Sequence, residues 1–118
     1  MATPSQVNAE KAPRRQVVIV IETDQQGRIV VTPDVFWLHK SEGDEAEWFC
    51  LRRHDHHDPL DPCFTVEFDA KAKPFTEHTF KNDRARSGTP VVSADSKVYK
   101  YSVRVGNQVL DPGGGVKP

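Results

Sequence analysis

Residues 50–63 read CLRRHDHHDPLDPC, and they gather most of the histidine and cysteine side chains in this protein, the groups best suited to bind a soft metal or move a proton near neutral pH. Three of the five histidines (His54, His56 and His57) and both cysteines (Cys50 and Cys63) fall inside this stretch. Imidazole and thiolate are the ligands that zinc and copper favour. On an extended segment His54 and His56 project to the same side, so two imidazoles can grip one ion. Asp55 and Asp58 stand where they can orient the rings or add an oxygen ligand. The sharper expectation is a zinc or copper site on His54, His56 and His57, with Cys50 or Cys63 assisting.

A plainer expectation is preferred. The spacing matches no paired C-x2-C knuckle. Arg52 and Arg53 add positive charge that opposes a cation. Pro59 and Pro62 stop strand propagation, and the remaining residues are hydrophilic, as a solvated connection requires. On this reading the chain holds no cofactor, and any zinc or nickel taken up is adventitious. The cysteines leave two states open. They are free thiols in a reducing compartment, or an oxidising one closes a short loop by a disulfide worth roughly 2–3 kcal/mol. Strand alternation puts Cys50 on the face of Trp48 and turns Cys63 outward.

Nothing marks an enzyme. There is no G-x-S-x-G, no H-E-x-x-H, and no Gly-rich phosphate loop between a strand and a helix. Cys50, His54 and Asp55 or Asp58 could supply a nucleophile, base and orienter, but nothing converges them on a pocket. A small hydrolase or redox enzyme therefore ranks third. His39 and His78 stand alone and are read as surface or hydrogen-bonded structural residues.

The elements that must position these residues are strands. QVVIVIE (16–22) is a β-branched run, TDQQGR a turn, and IVV (29–31) the return. EAEWFCL puts Ala46, Trp48 and Cys50 on one face and Glu47, Phe49 and Leu51 on the other. FTVEF points Phe64, Val66 and Phe68 inward. VYKYSVRV (98–105) buries Tyr99, Tyr101, Val103 and Val105 and exposes Val98, Lys100, Ser102 and Arg104. Residues 70–97 read as a long irregular connection pinned by Phe75 and Phe80. The result is an all-β antiparallel β-sandwich of about seven strands over residues 15–112. Residues 1–14 read as a flexible arm and 113–118 as a flexible tail, because DPGGGV has no helix to follow it.

Three pieces in order carry a family resemblance: KSEGDEAEW (40–48), FTVEF…PFTEHTF (64–80) and KVYKYSVRV (97–105). Together they resemble the cupredoxin-like sandwich of the blue-copper proteins, an immunoglobulin-like arrangement being the nearest alternative. The resemblance implies a copper loop after the Tyr-x-Tyr strand, with a Cys, then a His and a Met. Here Ser102 and Val103 stand at the thiolate position, no His follows, and the single Met is Met1. The resemblance therefore extends to the scaffold and leaves out the type-1 copper centre.

The remaining candidate surface is aromatic. Phe36 and Trp37 are adjacent, as are Trp48 and Phe49, so on strands one of each pair faces away from the core. Phe36, Trp37 and Phe49 are the candidate partner-binding residues. The counter-expectation is that the 70–97 connection covers them. With 118 residues, a net charge of −1 and 28% charged side chains, the chain is one domain with no long-range pull toward nucleic acid or membrane. No apolar run nears the roughly 20 residues of a membrane span. Val17–Ile21 is too short for a signal h-region. A cytoplasmic location is expected, or a periplasmic or secreted one if a leader is missing from this chain. The preferred reading is a non-catalytic binding module with a protein partner or a second copy as its target.

Overall fold

Along most of this chain β-branched and aromatic residues alternate with polar ones, and the backbone forms strands. The computed structural model describes residues 15–52, 60, 63–81 and 84–118. They form β1 (Gln16–Thr23), β2 (Ile29–Thr32), β3 (Val35–His39), β4 (Glu45–Cys50) and β5 (Thr65–Phe68). β6 (Thr79–Lys81), β7 (Arg84–Arg86), β8 (Val98–Val105), β9 (Gln108–Leu110) and β10 (Gly113–Lys117) follow. A short 3-10 turn, Lys40–Glu42, joins β3 to β4, and the described residues contain no α-helix.

The strands lie in two sheets, one ordered β2-β1-β4-β7 and the other β3-β10-β8-β5-β6, with β9 also on β8. This is the expected all-β sandwich, with ten strands where about seven were expected. Each sheet also holds one parallel pair, β1 with β4 and β3 with β10. The parallel pairs follow from the path of the chain. β1 and β2 form a hairpin, and the chain then leaves that sheet at Thr32-Pro33, a cis peptide, to run as β3 in the other. It returns as β4 on the far side of β1, and such a crossover makes β4 run alongside β1 in the same direction.

Between the sheets lies an aromatic core. Trp48 has no exposed surface and stacks on Phe80 at 5.2 Å between ring centroids. Phe36, Phe68 and Tyr101 surround it at 5.9, 6.2 and 5.8 Å. Its indole N–H donates to the Tyr101 hydroxyl at 3.3 Å. Burial pushes the Tyr101 hydroxyl up to about 12. The buried and exposed residues of β8 alternate as its sequence requires. Phe75 and Phe80 are both buried, so the long connection is anchored where expected. It is more regular than expected, since β6 joins the second sheet and β7 the first.

Residues 113–118 are a correction to the sequence reading. They are no flexible tail: β10 is an inner strand, paired with β3 on one side and β8 on the other. A glycine run predicts a loose end only if nothing needs the missing side chains. Here a Cβ on Gly114 would strike the Phe36 ring, and one on Gly115 the Trp37 ring. The glycines let two aromatic rings lie directly on the strand. Residues 1–14, expected to be an arm, lie outside the described residues.

The turn into β4 is held by a charge. Asp44 is fully buried, and its carboxylate accepts from Arg15 Nε at 2.6 Å and Nη2 at 2.8 Å. It also accepts the His39 backbone N–H at 2.8 Å. These bonds, the Arg15 guanidinium first, hold its pKa below the ordinary 3.8 despite burial. A depressed carboxyl supports the folded state fully above its unfolded pKa and loses that support as the pH falls through its folded one. Stability should therefore decline below about pH 4 more steeply in the wild type than in Asp44→Asn. At neutral pH Asp44→Ala should cost about 1–3 kcal/mol by denaturant titration, since it strands the His39 N–H.

Candidate interaction surface

The histidine loop leaves β4 at Cys50 and returns at Cys63, just before β5. The two sulfurs form a disulfide, with Cα atoms 6.2 Å apart. In this bridged form neither cysteine offers a thiolate, which removes Cys50 and Cys63 from the expected ligand set. Cys63 is also fully buried rather than outward. It lies two residues before β5, so the strand's alternation does not reach it. His54, His56 and His57, with Asp55 and Asp58, lie outside the described residues. Among the described residues no group of three His, Cys, Asp or Glu side chains is arranged to hold a metal. Reduction should lower stability by roughly 2–3 kcal/mol, read by paired melts with and without reductant.

The three candidate aromatic residues separate. Phe36 is 2% exposed and belongs to the core, which corrects its assignment to the surface. Strand alternation then obliges Trp37 to face out, and it is 40% exposed. Phe49 is half-buried on the outer face of the first sheet, beneath the Arg84 guanidinium at 5.2 Å. Arg84 and Arg86 both reach Glu47, at 3.3 and 3.1 Å. Phe49 is thus covered from β7, a part of the 70–97 connection, as the counter-expectation had it, whereas Trp37 stays exposed.

The outer face of the second sheet is set by register. Gly115 pairs with Trp37 on one side and Val98 on the other. Gly113 pairs likewise with Val35 and Lys100. Cross-strand partners share a face, so Val35, Trp37 and Val98 form one apolar strip over a glycine floor. All three remain exposed, at 42, 40 and 46%. The Lys117 ammonium lies 4.7 Å from the Trp37 ring centroid, a cation–π contact. Lys97 stands over Tyr99 at 4.9 Å.

Beyond the glycines the face becomes polar. A cavity of about 460 Å³ is lined by Glu67, Asp69, His78, Lys100, Ser102 and Asp111. The Ser102 hydroxyl donates to Asp111 Oδ1 at 2.9 Å. At the far end β9 pairs with β8, placing Val109 beside Arg104, and Val109 is 48% exposed. The site residues that sequence reasoning missed are Val35, Val98, Val109 and the lining of this cavity. Alternation marks Val98 and Lys100 as outward, but which strands neighbour β8 is long-range information that no local pattern carries.

No protein-family model matches the chain, and no curated protein matches it.

Proposed function

We propose that the chain is a non-catalytic protein-interaction module on a cupredoxin-like scaffold without a copper centre. Its contact surface is the outer face of the second sheet around Trp37. The observation that carries this reading is the exposed indole lying flat on a glycine strand, with Val35 and Val98 beside it. An apolar strip on a sheet face is a contact surface in search of a cover. A rigid aromatic ring binds at low entropic cost, which makes Trp a frequent energetic anchor of interfaces.

The scaffold reading is supported by where the three resembling segments fall. KSEGDEAEW makes the 3-10 turn and β4, FTVEF makes β5, and KVYKYSVRV makes β8. At the two positions where the copper family would supply its thiolate, Ser102 is bonded to Asp111 and Val103 is buried. β8 then turns back as a hairpin with β9. The Cys50–Cys63 bridge favours an oxidising compartment over the cytosol. Alkylation of the protein taken directly from its source would detect two free thiols if that is wrong.

The test is site-specific crosslinking. A photo-reactive residue at Val98 should capture one defined polypeptide, and the same residue at Val18, on the outer face of the first sheet, should not. Equal capture from both positions, or none from Val98, would remove the reading. Untagged protein should also carry no stoichiometric metal and melt unchanged in chelator. A melt that chelation lowers would move the function to His54, His56 and His57.

A further inference from the structure

Resting on the reading of this face as an interaction surface, we infer that its occupant is a second copy of this chain. The two copies pack sheet against sheet about a twofold axis that crosses β8 at Tyr101. The inference stands on the order of chemistry along one face. Trp37, whose ring lies on Gly115, and Val98 form one apolar end. Val35 and Lys100 come next, flanking Gly113. Ser102 follows, with Glu67 paired to it on β5 and Asp111 bonded to it from the other side. Val109 and Arg104 form the other end.

β5 already occupies one edge of β8 over residues 101–104, so β9 and β10 must share the other edge. Gly115 and Val109 therefore lie along one line beside β8, about three residues to either side of Tyr101. A twofold axis across the strands at Tyr101 exchanges those two positions. It lays the Trp37 ring of one copy on Val109 of the second. It lays Lys100 on Ser102 of the second copy, between that copy's Asp111 and Glu67. Both contacts occur twice, because a twofold interface uses the same patch on each side.

The charges are complementary to such a partner. Lys100 and Glu67 line the same cavity, yet neither has an ion-pair partner among the described residues. Stacked sheets lie about 10 Å apart and neighbouring strands about 4.8 Å, a gap that a lysine and a glutamate side chain reaching toward each other can bridge. A uniform polyanion is disfavoured, because carboxylates of Glu67, Asp69 and Asp111 stand next to Lys100. A face that carries both signs in sequence fits its own reverse.

Charge exchange tests this directly. By sedimentation, wild-type protein should dimerise, and Lys100→Glu and Glu67→Lys should each weaken the dimer by about tenfold or more, since each sets like charges opposite one another twice. Mixed together, the two variants should restore a heterodimer, because both crossing pairs are then opposite in sign. Both residues are exposed, so at concentrations dilute enough to keep the wild type monomeric their melts should match it; should either variant unfold, Val109→Asp reads the same interface from its apolar end. A wild type that stays monomeric at millimolar concentration would overturn the inference, as would variants that dimerise unchanged or fail to pair when mixed. Crosslinking from Val98 keeps the two proposals apart. Capture of a different polypeptide would leave the interaction surface standing and remove the second copy, whereas no capture would remove both.

Discussion

Trp48→Ala should lower the unfolding free energy by about 3–5 kcal/mol, the largest loss from any single substitution in this chain. Trp48 is the largest fully buried side chain, and four aromatic rings converge on it from β3, β5, β6 and β8. Those strands all belong to the second sheet, while Trp48 belongs to the first. Its removal therefore opens a cavity at the contact that joins the two layers, and rings held by strands on several sides cannot all collapse into it. Trp48→Phe should cost less. It keeps an aromatic ring and loses the N–H bond to Tyr101. Urea titration at neutral pH measures both, and a Trp48→Ala loss below about 1 kcal/mol would show that the sheets are held elsewhere.

The second large effect comes from adding a single methyl group. Gly114→Ala should destabilise the fold by about 1–3 kcal/mol, because the new Cβ meets the Phe36 ring inside the core. Phe36 is packed against Trp48 and Tyr101 and is 2% exposed, so its ring cannot swing into solvent. Gly115→Ala introduces the same atom one residue on, against Trp37. It should cost less stability, because Trp37 is at the surface and its ring can swing into solvent. It should nevertheless weaken binding at this face, since the indole would no longer lie flat. Melting curves of the two variants side by side check the contrast. Equal losses would mean that the glycines serve the backbone rather than the rings.

These glycines show where the sequence alone was misleading. DPGGGV has the composition of a loose end, and only the neighbouring strand reveals that the rings of Phe36 and Trp37 occupy the space. The strands themselves were legible. Alternation in VYKYSVRV and FTVEF placed Tyr101, Val103, Val66 and Phe68 inside, and the buried residues are those. That rule works because one strand buries one face, a local matter of period two. It stops at strand ends, and so it misplaced Cys63, one residue outside the alternating stretch. The aromatic pair Phe36 and Trp37 was half legible. Adjacency required one to face out, but choosing which needed the position of β10. The mixed sheets were not legible, because strand neighbours are set by the crossover at Thr32-Pro33 rather than by any window of sequence.

Trp37 is the centre of a contact surface on this reading rather than part of the core. The most direct measurement is capture by the photo-reactive residue at Val98, made in wild-type and Trp37→Ala backgrounds, with a melt of each. Trp37→Ala should abolish capture while the melting temperature stays within about 4 °C of wild type, as for a residue whose ring covers only a strand surface. Capture that persists without the indole would contradict it.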